Sequence, residues 1–192
     1  MVEQHEVRDL TDAKALSAMA NPHRSRIIDV LAVHGPATAS TLAGRIDLAV
    51  GSVSHHLKVL AESDLVEEAP ELAKDRRERW WRLVNKSTRW SRSDFADDTS
   101  AVNAALAAES LAMQKQLDRV RDWMAQSELT NPWDVAAFSN QTWMKLSPEE
   151  LRQFSEDIVQ VARNWRLRTD QAADGVERQT VFFFARGFPA EP

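Results

Sequence analysis

The sequence predicts a mostly α-helical protein with a small amount of β-structure. The chain has 192 residues, of which only five are glycine and none is tyrosine, and this composition favours helices over tight turns. Apolar residues recur every three or four positions through much of the chain, which is the spacing of an amphipathic helix. Two short runs, at 65–69 and 79–84, instead have strand composition.

Composition also excludes several classes of site. The chain contains no cysteine, which rules out disulfides, thiolate zinc sites and cysteine nucleophiles. No apolar run approaches the roughly 18 residues of a membrane span. The N-terminus lacks the charged-then-apolar layout of a signal peptide. We therefore expect a soluble, cytoplasmic protein.

Four helices are predicted in the first third of the chain. The first, second and fourth cover residues 11–20, 22–34 and about 50–62, and the third follows Thr38 for about two turns. Pro22 suits the first turn of the second helix, and Thr38 has the side chain of a cap for the third. Helices in this order, followed by two strands with a basic loop between them, form a winged helix-turn-helix.

The fourth helix contains two adjacent histidines. Val53, Leu57 and Leu60 share one face and are expected in the core. His55 and His56 diverge by about 100° on the helix surface, so they cannot jointly bind one metal ion. The side away from the core carries Gly51, Ser52, His55, Lys58 and Val59, with Ser54 at its border and His56 flanking the core face.

Charge is unevenly distributed along the chain. The net charge is −5, and the acidic excess lies entirely in residues 91–192. Residues 74–92 carry a local charge of +6. Their basic members are Lys74, Arg76, Arg77, Arg79, Arg82, Lys86, Arg89 and Arg92. This asymmetry indicates an anionic partner, and a solvated face beside an ordinary strand is the alternative.

The second half is predicted to be a helical dimerisation and possible effector-binding domain. Residues 91–100 are the predicted linker, so the domains are expected to be 1–90 and 101–192. A helix over about 100–127 carries an apolar stripe that suits packing on another helix. The stripe consists of Val102, Leu106, Met113, Leu117, Val120 and Met124. We interpret it as the dimerisation element.

One more helix and two strands are predicted near the C-terminus. Residues 135–146 have strand composition in part, and 178–188 form a strong strand pattern. Ser147 and Glu150 form a capping box for a helix that runs to about Leu167. The tryptophans and phenylalanines of this half suit an aromatic ligand pocket or, more simply, a core or dimer seam.

Residues 17–84 resemble the ArsR-type winged-helix transcriptional regulators. The resemblance rests on AMANPHRSRIIDVLA, STLAGRI, SVSHHLKVLAESDLV and the paired strands with a basic tip. The later AFSNQTWMKLSPEELRQF also resembles a C-terminal extension found in a subset of these regulators. The resemblance implies a homodimer that binds double-stranded DNA and favours a repressor over an activator. A recognition helix at 50–62 would enter the major groove, and a wing at 70–79 would touch the flanking backbone.

The resemblance and the side-chain chemistry together give a set of expected DNA contacts. Small hydroxyls, His55 and Lys58 face the DNA from the recognition helix, and long cations on the wing suit phosphates. The first turn of the preceding helix offers backbone N–H groups to a phosphate. The expected contacts are Thr38, Ser40, Ser52, Ser54, His55, His56, Lys58, Lys74, Arg76, Arg77 and Arg79. A hydrogen-bonded position at the core edge is an equal alternative for His56.

The sequence departs from these relatives just before the recognition helix. Asp47 stands where many have glycine, and aspartate tolerates the left-handed backbone of that turn. Ala49 replaces a serine cap, which weakens the helix start. Val50 occupies a position that is often polar, so base contacts are expected to be sparse and DNA shape correspondingly more important for recognition.

Other functions have less support from the residues. No metal or cofactor is expected, because the chain lacks cysteine and residues 91–192 contain no histidine. No phosphate loop, nucleophile elbow or HExxH motif occurs, so we expect no enzyme. A winged-helix module that binds an acidic protein and a small-molecule sensor without significant DNA binding remain the two alternatives. The effector, if one exists, is of unknown identity.

Overall fold

The computed structural model describes residues 7–10, 12–75, 78–85, 87–89, 95, 97–126, 131–170 and 172–191. Within these residues the elements are β1 (Val7–Asp9), α1 (Ala13–Met19), α2 (Pro22–His34), β2 (Ala37–Thr38), α3 (Ala39–Ile46), α4 (Val50–Ala61), β3 (Val66–Glu68), β4 (Trp80–Leu83), β5 (Ser87–Arg89), α5 (Thr99–Gln126), α6 (Pro132–Ala136) and α7 (Pro148–Asp170). The fold is mostly helical with little β-structure, as predicted. It divides into two compact units, residues 1–123 and 124–192.

The first unit is a winged helix-turn-helix. Strands β3 and β4 pair antiparallel, with Val66 opposite Leu83, and form the predicted ribbon. Two pairings were not predicted from the sequence. Strand β2 pairs antiparallel with the other edge of β4, and β1 pairs parallel with β5. The wing is therefore attached to the helices through a three-stranded sheet of order β2-β4-β3.

The core of the first unit lies among helices α1 to α4. Its largest fully buried side chains include Leu10, Leu16, Ile27, Leu42, Ile46, Val53, Leu57, Leu60 and Val66. Burial of Val53, Leu57 and Leu60 confirms the predicted core face of α4. Val59 is an exception to the predicted pattern, because it is half-buried and packs against this core instead of facing away.

Helix α5 is attached to this core by its small residues. Ala101, Ala105 and Ala108 are buried. Further along, Lys115 Nζ and Arg119 Nη2 lie 2.6 and 2.7 Å from the same carboxylate oxygen of Asp29 on α2. The compact unit consequently extends to residue 123, whereas the sequence predicts a domain boundary at 91–100. Linker composition does not reveal that alanines farther along the chain pack on the head.

The second unit contains α6, α7 and extended chain. The predicted capping box is confirmed, since Ser147 N donates to Glu150 Oε2 at 2.7 Å and Glu150 N donates to Ser147 Oγ at 3.2 Å. The two predicted late strands are wrong for the described residues. Residues 137–147 and 172–191 form no strand ladder there. Strand composition makes a segment extended, but a strand also needs a neighbour that satisfies its backbone hydrogen bonds.

The Thr38 cap gives a direct test of local stability. Thr38 Oγ1 accepts a hydrogen bond from Thr41 N at 3.2 Å and caps α3 as predicted. Thr38→Ala removes this acceptor, so the first unit should lose about 1 kcal/mol of unfolding free energy. Urea unfolding followed by circular dichroism measures the loss. Ser40→Ala, on the exposed first turn of the same helix, is the control and should change the midpoint little.

Candidate nucleic-acid interface

The turn between α3 and α4 sets the orientation of the candidate recognition helix. Asp47 ends α3 with φ 55° and ψ 56°, the left-handed conformation expected from the sequence. Ala49 begins α4 without a side-chain capping hydrogen bond, also as expected. Aspartate in this conformation thus replaces the glycine that the turn would otherwise favour.

The outer face of α4 is polar and accessible. Ser52, Ser54, His55 and Lys58 are all exposed. The hydroxyl of Ser54 donates to Val50 O at 2.9 Å, which leaves it free to act as an acceptor toward a DNA donor. Lys58 Nζ lies 4.0 Å from Glu62, but its side chain is 77% exposed, and so loose an ion pair restrains it little. These four residues thus lie on the accessible side of α4.

His56 has a different environment from His55. It is half-buried, and its ring stacks on His23 of α2 with centroids 5.5 Å apart. Its Nδ1 atom is buried without a hydrogen-bond partner in the described part of the chain. The structure therefore places His56 at the core edge. His23, which was not predicted as a site residue, lies beside His56 in the first turn of α2.

The environment of His56 predicts that acid destabilises the first unit. Burial lowers the pKa of His56 below its ordinary value, and the positive charges of Arg24, His23 and His55 lower it further. A lowered pKa means that the neutral ring contributes stability above a pH of about 6.5, and that this contribution is lost as the pH falls toward the pKa of the folded state.

His56→Leu should consequently flatten the dependence of the urea midpoint on pH between about pH 5 and pH 7.5. The exposed His34 supplies the control, because His34→Leu should leave the dependence in place. An unchanged pH dependence in His56→Leu would contradict the assignment.

The first turn of α3 borders this surface. Ser40 is exposed, whereas the side chain of Thr38 is occupied by its capping bond to Thr41 N and by a 3.0 Å contact with Thr41 Oγ1. The Thr38 hydroxyl thus already has two partners on Thr41. The remaining first-turn N–H groups are the ones that suit a phosphate.

Carboxylates lie close to two of the described cations in and beside the wing. Lys74 and Arg79 are exposed, and Arg79 lies 3.7 Å from Glu68. Arg82 forms ion pairs with Glu67 and Glu71, which also raise its pKa. These carboxylates lie at residues 67–71, outside the basic stretch 74–92. They come close to its arginines because β3 pairs with β4. The expected contacts Arg76 and Arg77 lie outside the described residues.

The predicted dimer stripe is largely exposed on α5. Leu106, Met113, Leu117, Val120 and Met124 are 37–71% exposed. Val102 departs from this pattern, because it is half-buried and packs on the core of the first unit. The stripe and the buried alanines thus occupy different sides of one helix, and α5 can contact the head and a second helix at once.

Other kinds of site are not apparent in the described residues. No group of three or more His, Asp or Glu side chains among them is arranged to hold a metal ion. None of the helices in the same residues is long and apolar enough to cross a membrane. Trp123, Trp143 and Trp165 are 42–61% exposed.

Comparison with known proteins identifies the segment that contains this surface. A family model described as "Helix-turn-helix domain" matches residues 19–69. That range includes α2, α3, α4 and β3. No curated protein matches the chain significantly.

Several solved structures are similar to parts of the chain. Reduced HlyU from Vibrio cholerae is 28% identical over 37% of this chain and 73% of its own, with a TM-score of 0.31. The homodimeric winged helix-turn-helix DNA-binding domain of Mb0332 from Mycobacterium bovis, described as a possible ArsR-family regulator, is 18% identical over 60% and 85%, with a TM-score of 0.35. The ArsR family transcriptional regulator RHA00566 is 26% identical over 59% and 91%, with a TM-score of 0.31. TM-scores this low carry no argument about the chain as a whole.

Proposed function

We propose that this chain, whose residues 19–69 match a family model described as "Helix-turn-helix domain", is a DNA-binding transcriptional regulator that binds a specific operator as a homodimer and acts as a repressor in the cytoplasm. The observation that carries the proposal is the exposed face of α4. Ser52, His55 and Lys58 lie together on it, and the core side chains of the same helix are fully buried. A helix held so firmly presents its polar side in a fixed orientation.

Each part of the surface has a separate role in the proposed complex. His55 and the serines of α4 meet base edges in the major groove, and Lys58 meets bases or phosphates. The first turn of α3, at Ser40, binds a backbone phosphate. Lys74 and Arg79, together with Arg76 and Arg77, neutralise phosphates beside the groove without reading sequence. His56 supports the recognition helix from the core edge.

The exposed stripe on α5 supports the proposed dimer. Pairing of two such helices would bury Leu106, Met113 and Leu117, which are otherwise exposed to water. Each copy would then present one recognition helix to one half of a near-palindromic operator. The half-sites are expected about 34–36 Å apart, or at a multiple of this distance. A dimer bound there represses by blocking access to the promoter.

The test is fluorescence anisotropy of a labelled duplex from upstream of the protein's own coding region, beside a random duplex, at several salt concentrations. Tighter binding to the upstream duplex, with affinity that falls steeply as salt rises, is expected. Absence of binding to either duplex at low salt would overturn the proposal. It would favour the module that binds an acidic protein or, if a ligand quenches tryptophan fluorescence, the small-molecule sensor.

Two substitutions should separate base contacts from phosphate contacts. His55→Ala should reduce the preference for operator over random DNA, by up to about 1–3 kcal/mol. Lys74→Gln should weaken binding to both duplexes equally and lower the slope of log K against log salt by about one. Lys145→Gln, an exposed lysine of the second unit, is the control. A loss of operator preference in Lys74→Gln alone would contradict this division of roles.

A further inference from the structure

Helix α7 carries an apolar stripe that is only partly covered. The stripe advances along the helix in alternating steps of three and four residues through Leu151, Phe154, Ile158, Val161 and Trp165. Phe154 is 39% exposed, and Val161 and Trp165 are each 58% exposed. Leu151 and Ile158 are half-buried. This spacing is typical of the seam between two helices that pack along their length.

The charge of α7 changes sign along the helix. The N-terminal half carries Glu149, Glu150, Glu156 and Asp157 against Arg152, and the C-terminal half carries Arg163, Arg166 and Arg168 against Asp170. Arg152 is already bound to Glu149 and Glu156 of its own helix. The first half is therefore acidic and the second half basic.

This charge pattern identifies the partner and its direction. Two parallel copies of α7 would place like charges side by side, which is unfavourable. Two antiparallel copies place the acidic half of each helix beside the basic half of the other. The apolar stripe and the charge gradient together make α7 complementary to itself in the antiparallel direction only.

We propose that α7 pairs antiparallel with α7 of a second copy of this chain. In the register that uses the whole stripe, Ile158 of one copy faces Val161 of the other, and Phe154 faces Trp165. The pairing buries the most exposed aromatic side chain of the stripe against a second aromatic ring. It shares with the proposed function only the premise of a homodimer, and it forms an interface separate from the one on α5.

Engineered cysteines test the pairing directly, because the chain has no cysteine of its own. Val161→Cys treated with a short bismaleimide should give a covalent dimer at micromolar protein. Gln160→Cys is the matched control, since it lies about 100° away around the helix and should give little dimer. Equal yields at the two positions, or no dimer at Val161, would overturn the proposal.

The direction of the pairing requires a second position. In the antiparallel register the two Trp165 positions lie about 16 Å apart along the helix axis. Trp165→Cys should therefore crosslink far less than Val161→Cys. Efficient crosslinking of Trp165→Cys would indicate parallel helices and overturn the charge argument. Should Val161→Cys lose helical circular dichroism, a mixture of Phe154→Cys and Trp165→Cys tests the same register.

A cysteine on α5 distinguishes this proposal from the operator-binding dimer. Leu117→Cys reports on the α5 interface alone. Crosslinking of Leu117→Cys without crosslinking of Val161→Cys would leave the proposed function in place and overturn the pairing of α7. Crosslinking of Val161→Cys without operator binding would support the pairing of α7 and overturn the proposed function.

Discussion

Leu57→Ala is expected to destabilise the first unit by about 2–5 kcal/mol, which is enough to unfold much of a typical domain. Leu57 is fully buried in the middle of α4, where its side chain belongs to the core shared by the helices of the head. Its removal leaves a cavity that neighbours in several elements cannot fill together. Operator binding should be lost because the recognition helix loses its support.

Urea unfolding measured by circular dichroism tests this expectation. Leu72→Ala is the matched control, because Leu72 lies in the wing and is 39% exposed. Substitutions at such positions usually change stability by less than about 0.5 kcal/mol. His55→Ala, in contrast, should leave the midpoint unchanged while it reduces operator preference. A stable Leu57→Ala variant would mean that α4 does not depend on this core.

Leu117→Glu is expected to convert the dimer to monomers and to weaken operator binding by about a hundredfold or more. The charge would lie in the centre of the α5 stripe, where burial of a carboxylate without a partner is unfavourable. The monomer should remain folded, because Leu117 is 44% exposed and lies away from the buried alanines. Operator affinity falls because two linked heads bind much more tightly than one.

Sedimentation velocity and operator anisotropy measure the two effects. Ala107→Glu is the control, since Ala107 is exposed on a different side of α5 and should tolerate a carboxylate. A Leu117→Glu protein that sediments as a dimer would place the dimer interface elsewhere. Helix α7 would then be the first surface to examine.

Features that depend on neighbouring residues were well predicted from the sequence. The start of α2, the left-handed Asp47 and the capping box of α7 all depend on a few adjacent side chains. In each case one turn of backbone needs a particular φ angle or a hydrogen bond to an unpaired N–H group. Proline, a small polar cap or a residue that tolerates positive φ supplies it.

Beyond the β3–β4 ribbon, several features that bring distant residues together were not predicted. The neutralisation of Arg82 depends on carboxylates that only the β3–β4 register places beside it. The stack of His23 on His56 depends on how α2 crosses α4. The first unit extends beyond the predicted linker because alanines of α5 pack on the head. No local pattern records these pairings, although Glu67 on a short strand opposite a basic run was a usable signal.

Helix α2 contacts both α5 and α4, which matters for any dimer that forms through α5. Lys115 and Arg119 of α5 form ion pairs with Asp29 of α2. In the first turn of α2, His23 stacks on His56 of α4. A rotation of α5 would therefore displace α2, and with it the His23 ring that stacks on His56 of α4. A ligand that changes the angle between two α5 helices would therefore change the distance between the two α4 helices of the dimer. The operator would then be released because the spacing of its half-sites would no longer match the distance between the α4 helices.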